Sequence, residues 1–185
     1  MTVTVMLAEG FEEIEALTPV DVLRRGGVTV RTCSITEERL VTGAHGIGVM
    51  ADTVLSELEG EEDLLLLPGG MPGTLHLKQC LPLRERILAQ NARGGFLAAI
   101  CAAPTVLGEL GLLREKEAVC YPGMEEGLFC ARVSKEDVVT DGHITTSRGA
   151  GTAFAFALRL LSVLKGEEES AKELARTMCY ERTKP

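Results

Sequence analysis

Short, unbroken apolar runs recur along this chain, and a segment of helical character follows most of them. "TVTVMLA" (2–8), "DLLLLPGG" (63–70) and "FLAAI" (96–100) are apolar or β-branched almost throughout, not at alternate positions. A strand of that composition is buried on both faces, as in a parallel sheet covered by its own crossover helices. The alternation therefore predicts an α/β fold with a mostly parallel sheet and helices on both sides. No repeat, low-complexity tract or linker interrupts it, so residues 1–185 read as one domain.

The connecting segments carry matching signals. In "EGFEEIEALTPVDVLRRGG", Ile14, Leu17, Val20 and Leu23 recur at three-residue spacing, acids crowd the start, and Arg24–Arg25 precede Gly26–Gly27. That charge order suits a helix dipole, with a kink expected at Pro19. Residues 28–34 read as a strand and 39–54 as a β-hairpin or small antiparallel excursion. Residues 80–95 and 103–113 read as helices, with Pro104 tolerated in the first turn. Residues 117–122 and 137–147 read as strands, the second folding over at Asp141-Gly142. Two helices follow, an apolar one over 151–166 and a charged one over 167–182.

Aromatic residues make up 4% and Trp is absent, so the core must be aliphatic. The net charge of −8 argues against nucleic-acid or anionic-membrane partners, which need a basic face. The opening "MTVTVMLAEGFEE" lacks a basic n-region, and no apolar run approaches the ~20 residues of a membrane span. A cytoplasmic location is expected. There, the six cysteines (33, 80, 101, 120, 130, 179) are expected to stay reduced, most of them as buried apolar thiols. No Cys-x-x-Cys pair or zinc-like Cys/His spacing occurs, so no metal is expected.

In such sheets ligands bind beyond the carboxyl ends of the strands. Three segments fall there: Glu9 to Glu15, Gly69–Gly70, and Cys101 in "GFLAAICAAPTVLGEL". Cys101 stands where strand becomes helix, with Ala99, Ala102 and Ala103 permitting a sharp turn, as in a nucleophile elbow. Unpaired N–H groups and a helix dipole would favour its thiolate; a packed core cysteine is the plain alternative. Of Glu12, Glu13 and Glu15, the last lies near the buried face, where desolvation and a neighbouring thiolate would raise its pKa. It would then donate to sulfur or shuttle a proton; simple helix-start favourability explains the other two. Gly69 and Gly70 allow close backbone approach, and the Gly70 and Ala102 amides are placed to hold an oxyanion. An ordinary strand-ending turn is the alternative there. His76 could border the site, His143 reads as exposed, and no histidine falls in a pattern that compels a role. Arg148 could line the pocket or lie on the surface.

"LAEGFEEIEALTPVDVLRRGG", "LLLLPGG", "AAICAAPTVL" and "TTSRGAGTAFAFAL" resemble the ThiJ/PfpI superfamily, especially its branch containing the Parkinsonism-associated protein deglycase. The resemblance runs in order to about Gly166. It implies a flavodoxin-like three-layer sandwich, a homodimer and no cofactor. It makes Cys101 the reactive cysteine, Glu15 its acid, and Gly69, Gly70 and Ala102 the anion pocket. Implied partners are small α-oxoaldehydes or glycated proteins, through glyoxalase or deglycase chemistry. Redox-sensing or chaperone-like roles through Cys101 oxidation are the alternative, with amidase, protease or thiazole-biosynthesis associations behind them. Two positions depart from the pattern. Tyr121 stands where many relatives place a histidine, and a tyrosine, titrating near ~10, makes a poor base. His45 stands where relatives of that branch carry an arginine thought to reach the partner's site. Whether Cys120 approaches Cys101 is open at this level.

Overall fold

The computed structural model describes residues 1–180. In chain order the first elements are β1 (Thr2–Leu7), α1 (Glu13–Arg25), β2 (Thr29–Ser34), β3 (Leu40–Thr42), β4 (Gly48–Met50) and β5 (Thr53–Val54). Next come β6 (Leu64–Leu67), α2 (Gly73–Gln79), α3 (Leu81–Ala92), β7 (Phe96–Ile100) and α4 (Pro104–Glu109). The chain continues with β8 (Glu117–Ala118), β9 (Arg132–Val133), β10 (Val138–Asp141), β11 (Ile144–Ser147), α5 (Ala153–Lys165) and α6 (Glu169–Thr177).

A seven-stranded sheet runs in the order β10-β11-β7-β6-β1-β2-β5. Every pairing in it is parallel except β10 with β11. The leucine run of β6 shows why the strand had to be apolar throughout. Leu64 and Leu66 pack with Val20 and Leu23 of α1 and Phe156 and Leu160 of α5. Leu65 and Leu67 point the other way, to Leu77 of α2, Ile87 of α3 and Val106 of α4. Side chains alternate across a strand, so two apolar faces demand an apolar residue at every position. The result is the expected α/β three-layer sandwich. No helix among the described residues is long and apolar enough to cross a membrane.

Several local expectations change. Residues 39–54 split: β3 and β4 form the hairpin, while β5 joins the main sheet beside β2. Asp52 fixes that edge by accepting from the Thr32 N–H at 2.8 Å. Helix α2 was not anticipated, because its Gly-Thr start after Pro72 reads as more turn. The expected helix over 103–113 stops at Glu109 and gives way to turns. The expected strand over 117–122 shrinks to β8, which pairs with β9 outside the main sheet. Beyond it Val119 N–H bonds the Thr146 hydroxyl and Tyr121 N–H bonds the Cys101 carbonyl, so the chain bends over the sheet's end instead of extending. The final helix ends at Thr177, and residues 181–182 of its expected range lie outside the described residues.

Helix α1 continues through Pro19. Its inner face differs from the three-residue stripe: Ile14 and Leu17 are 53% and 36% exposed. The buried side holds Ala16, Val20 and Leu23 together with Glu13 and Glu15. Burying two carboxyl groups in one helical turn carries a desolvation cost unless each finds partners.

Candidate active site

The sheet order sets β7, β6 and β1 side by side and parallel, so the segments leaving their carboxyl ends converge. From β1 the chain turns into α1 and supplies Glu15, which is 1% exposed. From β6 it supplies Gly69, whose N–H donates to Glu15 Oε2 at 2.9 Å. From β7 it supplies Cys101, whose N–H donates to the Ser147 carbonyl at 3.0 Å. Cys101 sits at φ 65, a left-handed conformation that a non-glycine residue adopts at a cost of roughly 1–3 kcal/mol. That strain turns its side chain out of the strand line toward the carboxyl.

Close packing makes glycine necessary here. A Cβ on Gly69 would stand 2.6 Å from Cys101 Cβ and 2.6 Å from Glu15 Oε2. Gly70, at φ +91, folds back against the Gly10–Glu12 backbone. Gly69→Ala is therefore expected to lower stability by roughly 1–3 kcal/mol through overpacking and to separate thiol from carboxyl. A urea midpoint equal to wild type would show that the contact is not tight.

The Cys101 side chain and the Glu15 carboxyl flank the same point at Gly69, close enough for each to shift the other's titration. Burial dominates both. It raises Glu15 to about 7, aided by the charge of Glu12 and opposed by the bonds to Cys101 and Gly69. Burial, then the charge and hydrogen bond of ionised Glu15, push the Cys101 thiol up to about 12; the Gly70 and Ala102 amides act in the opposite direction. This corrects the expectation of a standing thiolate. Helix α4 starts at Pro104, after the Cys101–Ala103 turn, and is only six residues long, so its dipole contributes little. What the geometry provides is a protonated thiol beside a base poised near neutrality. Gly69 is also corrected: its amide is occupied by Glu15, which leaves Gly70 and Ala102 facing sulfur.

Other candidates distribute around this pair. The point where a Gly149 Cβ would lie is 3.5 Å from the Tyr121 ring and 3.8 Å from Glu15 Oε1, so Tyr121 borders the site. Arg148 is half-buried, and its charge acts on Glu125. His45 is exposed; its Nδ1 lies 2.9 Å from Glu13 Oε2 and 3.6 Å from Glu12 Oε2, and those carboxylates raise its pKa. Among the described residues these three side chains are the one His/Cys/Asp/Glu group clustered closely enough to hold a metal ion. They are already paired with one another. His76 Nδ1–H donates to the Glu9 carbonyl. His143, expected to be exposed, is half-buried and donates to Asn91 Oδ1. All six cysteines are free, but only Cys33 and Cys120 are buried, fewer than expected. Cys120 packs in the apolar cluster on the α2–α4 face, whereas Cys101 adjoins the cluster on the α1–α5 face. Gly149 escaped notice in the sequence because its backbone gives no turn signal.

Comparison with known proteins agrees with this geometry. Residues 1–163 match the DJ-1/PfpI family. The chain is 42% identical over 173 residues to protein DJ-1 homolog B of Arabidopsis thaliana, covering 92% of this chain but 40% of that protein. It thus spans less than half the length of that relative. It is 35% identical over 175 residues to the glutathione-independent glyoxalase DJR-1.2 of Caenorhabditis elegans, covering 92% of this chain and 91% of that protein. The structure of oxidized Toxoplasma gondii DJ-1 superposes with a TM-score of 0.92 at 35% identity, covering 96% of this chain and 97% of that one. With the sandwich, the Cys101 elbow and this match in agreement, the chain belongs to the DJ-1/PfpI family.

Proposed function

We propose that this chain is a cofactor-free enzyme converting α-oxoaldehydes, free or as protein adducts, into 2-hydroxy acids. The observation that carries the reading is the buried Glu15 carboxyl, held by the Gly69 N–H against the Cys101 elbow with the Gly70 and Ala102 amides facing sulfur; burial raises that carboxyl to about 7. A general base works best when its pKa lies near the working pH. Glu15 carboxylate takes the thiol proton as Sγ adds to the aldehyde carbon. The new oxyanion, held by the two amides, receives that proton and becomes a hemithioacetal. Glu15 then removes the former aldehyde hydrogen, giving an enediol, and returns a proton to the adjacent carbon. The product is a thioester of the 2-hydroxy acid; water hydrolyses it and frees the thiol. The sum is addition of one water to the oxoaldehyde, with no external oxidant or reductant. A glyoxalase that needs no glutathione fits a protein thiol doing this work, and one relative carries that description. The test is lactate formation from methylglyoxal without added thiol or cofactor; no lactate above the uncatalysed rate discards the reading.

The same two amides also favour a second reading, a redox sensor. Peroxide would convert Cys101 to sulfenic and then sulfinic acid, whose oxygens the amides and Glu15 would hold. Selective gain of two oxygens at Cys101 in a protein without turnover supports this role.

A homodimer accompanies both readings. Ile14, Leu17, Ile47, Phe154 and Met178 line a shallow apolar depression, and the Leu40–Met50 pair of the hairpin is exposed nearby in the chain. An exposed apolar face of this kind suits a second copy. Sedimentation is expected to give twice the monomer mass. Ile14→Asp should weaken association by about 2 kcal/mol, roughly thirtyfold; an unchanged mass distribution places the interface elsewhere.

A further inference from the structure

We infer that Glu13 is a positioning residue for the reaction: by clamping the β3–β4 hairpin to the start of α1, it fixes the rotation that aims Glu15 at Cys101. The inference rests on Glu15 being the proton carrier proposed above, and adds a residue that never touches the substrate.

Glu13 is 5% exposed. A favourable charge at a helix start does not require burial, since the dipole acts on an exposed carboxylate as well. A buried carboxylate needs partners for both oxygens, and Glu13 has them. Oε1 accepts the His45 N–H at 2.9 Å and the Ile47 N–H at 3.4 Å. Oε2 accepts the His45 Nδ1–H at 2.9 Å. All three donors belong to the turn between β3 and β4, which Gly43 closes by donating its N–H to the Ile47 carbonyl at 3.0 Å. The fit has no slack, because a Cβ on Gly43 would overlap the Glu13 carboxyl.

Residues two apart on a helix differ by about 200° around its axis. Glu13 and Glu15 therefore leave opposite sides of the first turn of α1. One seats in the hairpin. The other seats at the sheet's end, where its Oε2 accepts the Gly69 N–H at 2.9 Å and the Gly69 carbonyl accepts the Glu12 N–H at 2.9 Å. The hairpin also takes hold of the loop before the helix, through Gly10 N–H to the Thr42 carbonyl and Ala44 N–H to the Phe11 carbonyl, both at 2.8 Å. The bonds of Glu13 carry that grip into the helix itself. Without them the first turn is free to roll about its axis, and Glu15 draws back from sulfur.

The test reads turnover and thiol reactivity together. Glu13→Ala is expected to lower kcat for methylglyoxal about tenfold to a hundredfold, the scale of a small misplacement of a reacting group, with KM within about twofold. Iodoacetamide should at the same time modify Cys101 about twofold to fivefold faster at about pH 8, because the carboxyl has withdrawn. Glu13→Gln, whose amide can accept the same N–H groups, should restore both rates. On a Glu15→Gln background Glu13→Ala should change either rate less than about twofold, since it acts through Glu15. Gly43→Ala perturbs the same contact from the hairpin side and should reproduce the paired change; it decides the matter if Glu13→Ala does not fold. Wild-type kcat in Glu13→Ala, a fall in kcat without faster alkylation, or an equal loss on the Glu15→Gln background overturns the role. Should wild type itself make no lactate, the oxoaldehyde reading fails on its own, and the alkylation rates alone decide whether Glu13 holds Glu15 in place.

Discussion

Replacing Cys101 with serine is expected to lower lactate formation from methylglyoxal by about a thousandfold or more, the scale seen when a nucleophile that acts with its base is removed. Serine keeps the elbow's size and its N–H bond to the Ser147 carbonyl, so the fold should survive. The hydroxyl is a poorer nucleophile toward the aldehyde, and an alkoxide leaves less readily when the final ester is hydrolysed. The loss should fall on kcat, since the pocket around the pair is otherwise unchanged. Cys179, exposed and outside the pair, serves as the control: Cys179→Ser should turn over as wild type does. Turnover of Cys101→Ser within about tenfold of wild type would remove sulfur from the reaction.

Three apolar runs announced β1, β6 and β7, and the rule that ligands gather beyond parallel strands placed Glu15, Gly69–Gly70 and Cys101 together. Their chemistry was less legible. The sequence suggested a helix start at Cys101 and hence a thiolate, but the elbow's turn separates the thiol from α4. Burial depends on every layer packed around the pair, and it reverses the expected sign at sulfur. The three-residue spacing of Ile14, Leu17, Val20 and Leu23 marks a helix but does not say which side is buried. In fact α1 rotates its carboxyl groups inward and leaves the first two outside. "EAVCYP" has strand composition, yet long-range bonds to Thr146 and Cys101 bend it over the site, and no local pattern encodes those partners.

Glu15→Gln is expected to cut kcat by about a hundredfold to ten-thousandfold, the usual contribution of a positioned general base, and to change three pH dependences in linked directions. In wild type kcat/KM should rise about tenfold per pH unit at low pH and level off above about 7, because the ionised carboxyl is the base. Glutamine removes that rise. Stability follows the same proton. A carboxyl raised from 4.5 to about 7 gives the folded state a contribution fully present below 4.5 and lost as pH climbs through about 7. The shift is worth on the order of 3 kcal/mol, so the Glu15→Gln variant should gain on wild type in urea midpoints as pH rises from about 5 to about 8. The sulfur responds oppositely to the catalysis. Without the charge and hydrogen bond of Glu15, burial alone holds the thiol up, and its pKa drops below about 12. Iodoacetamide should then modify Cys101 faster in Glu15→Gln at about pH 8, even as lactate formation collapses. Faster alkylation with lost turnover separates a proton carrier from a residue that merely shapes the pocket, since damage to the pocket would move both rates without this opposition. If both rates fall together, or if wild-type activity is flat across neutral pH, Glu15 is not the base.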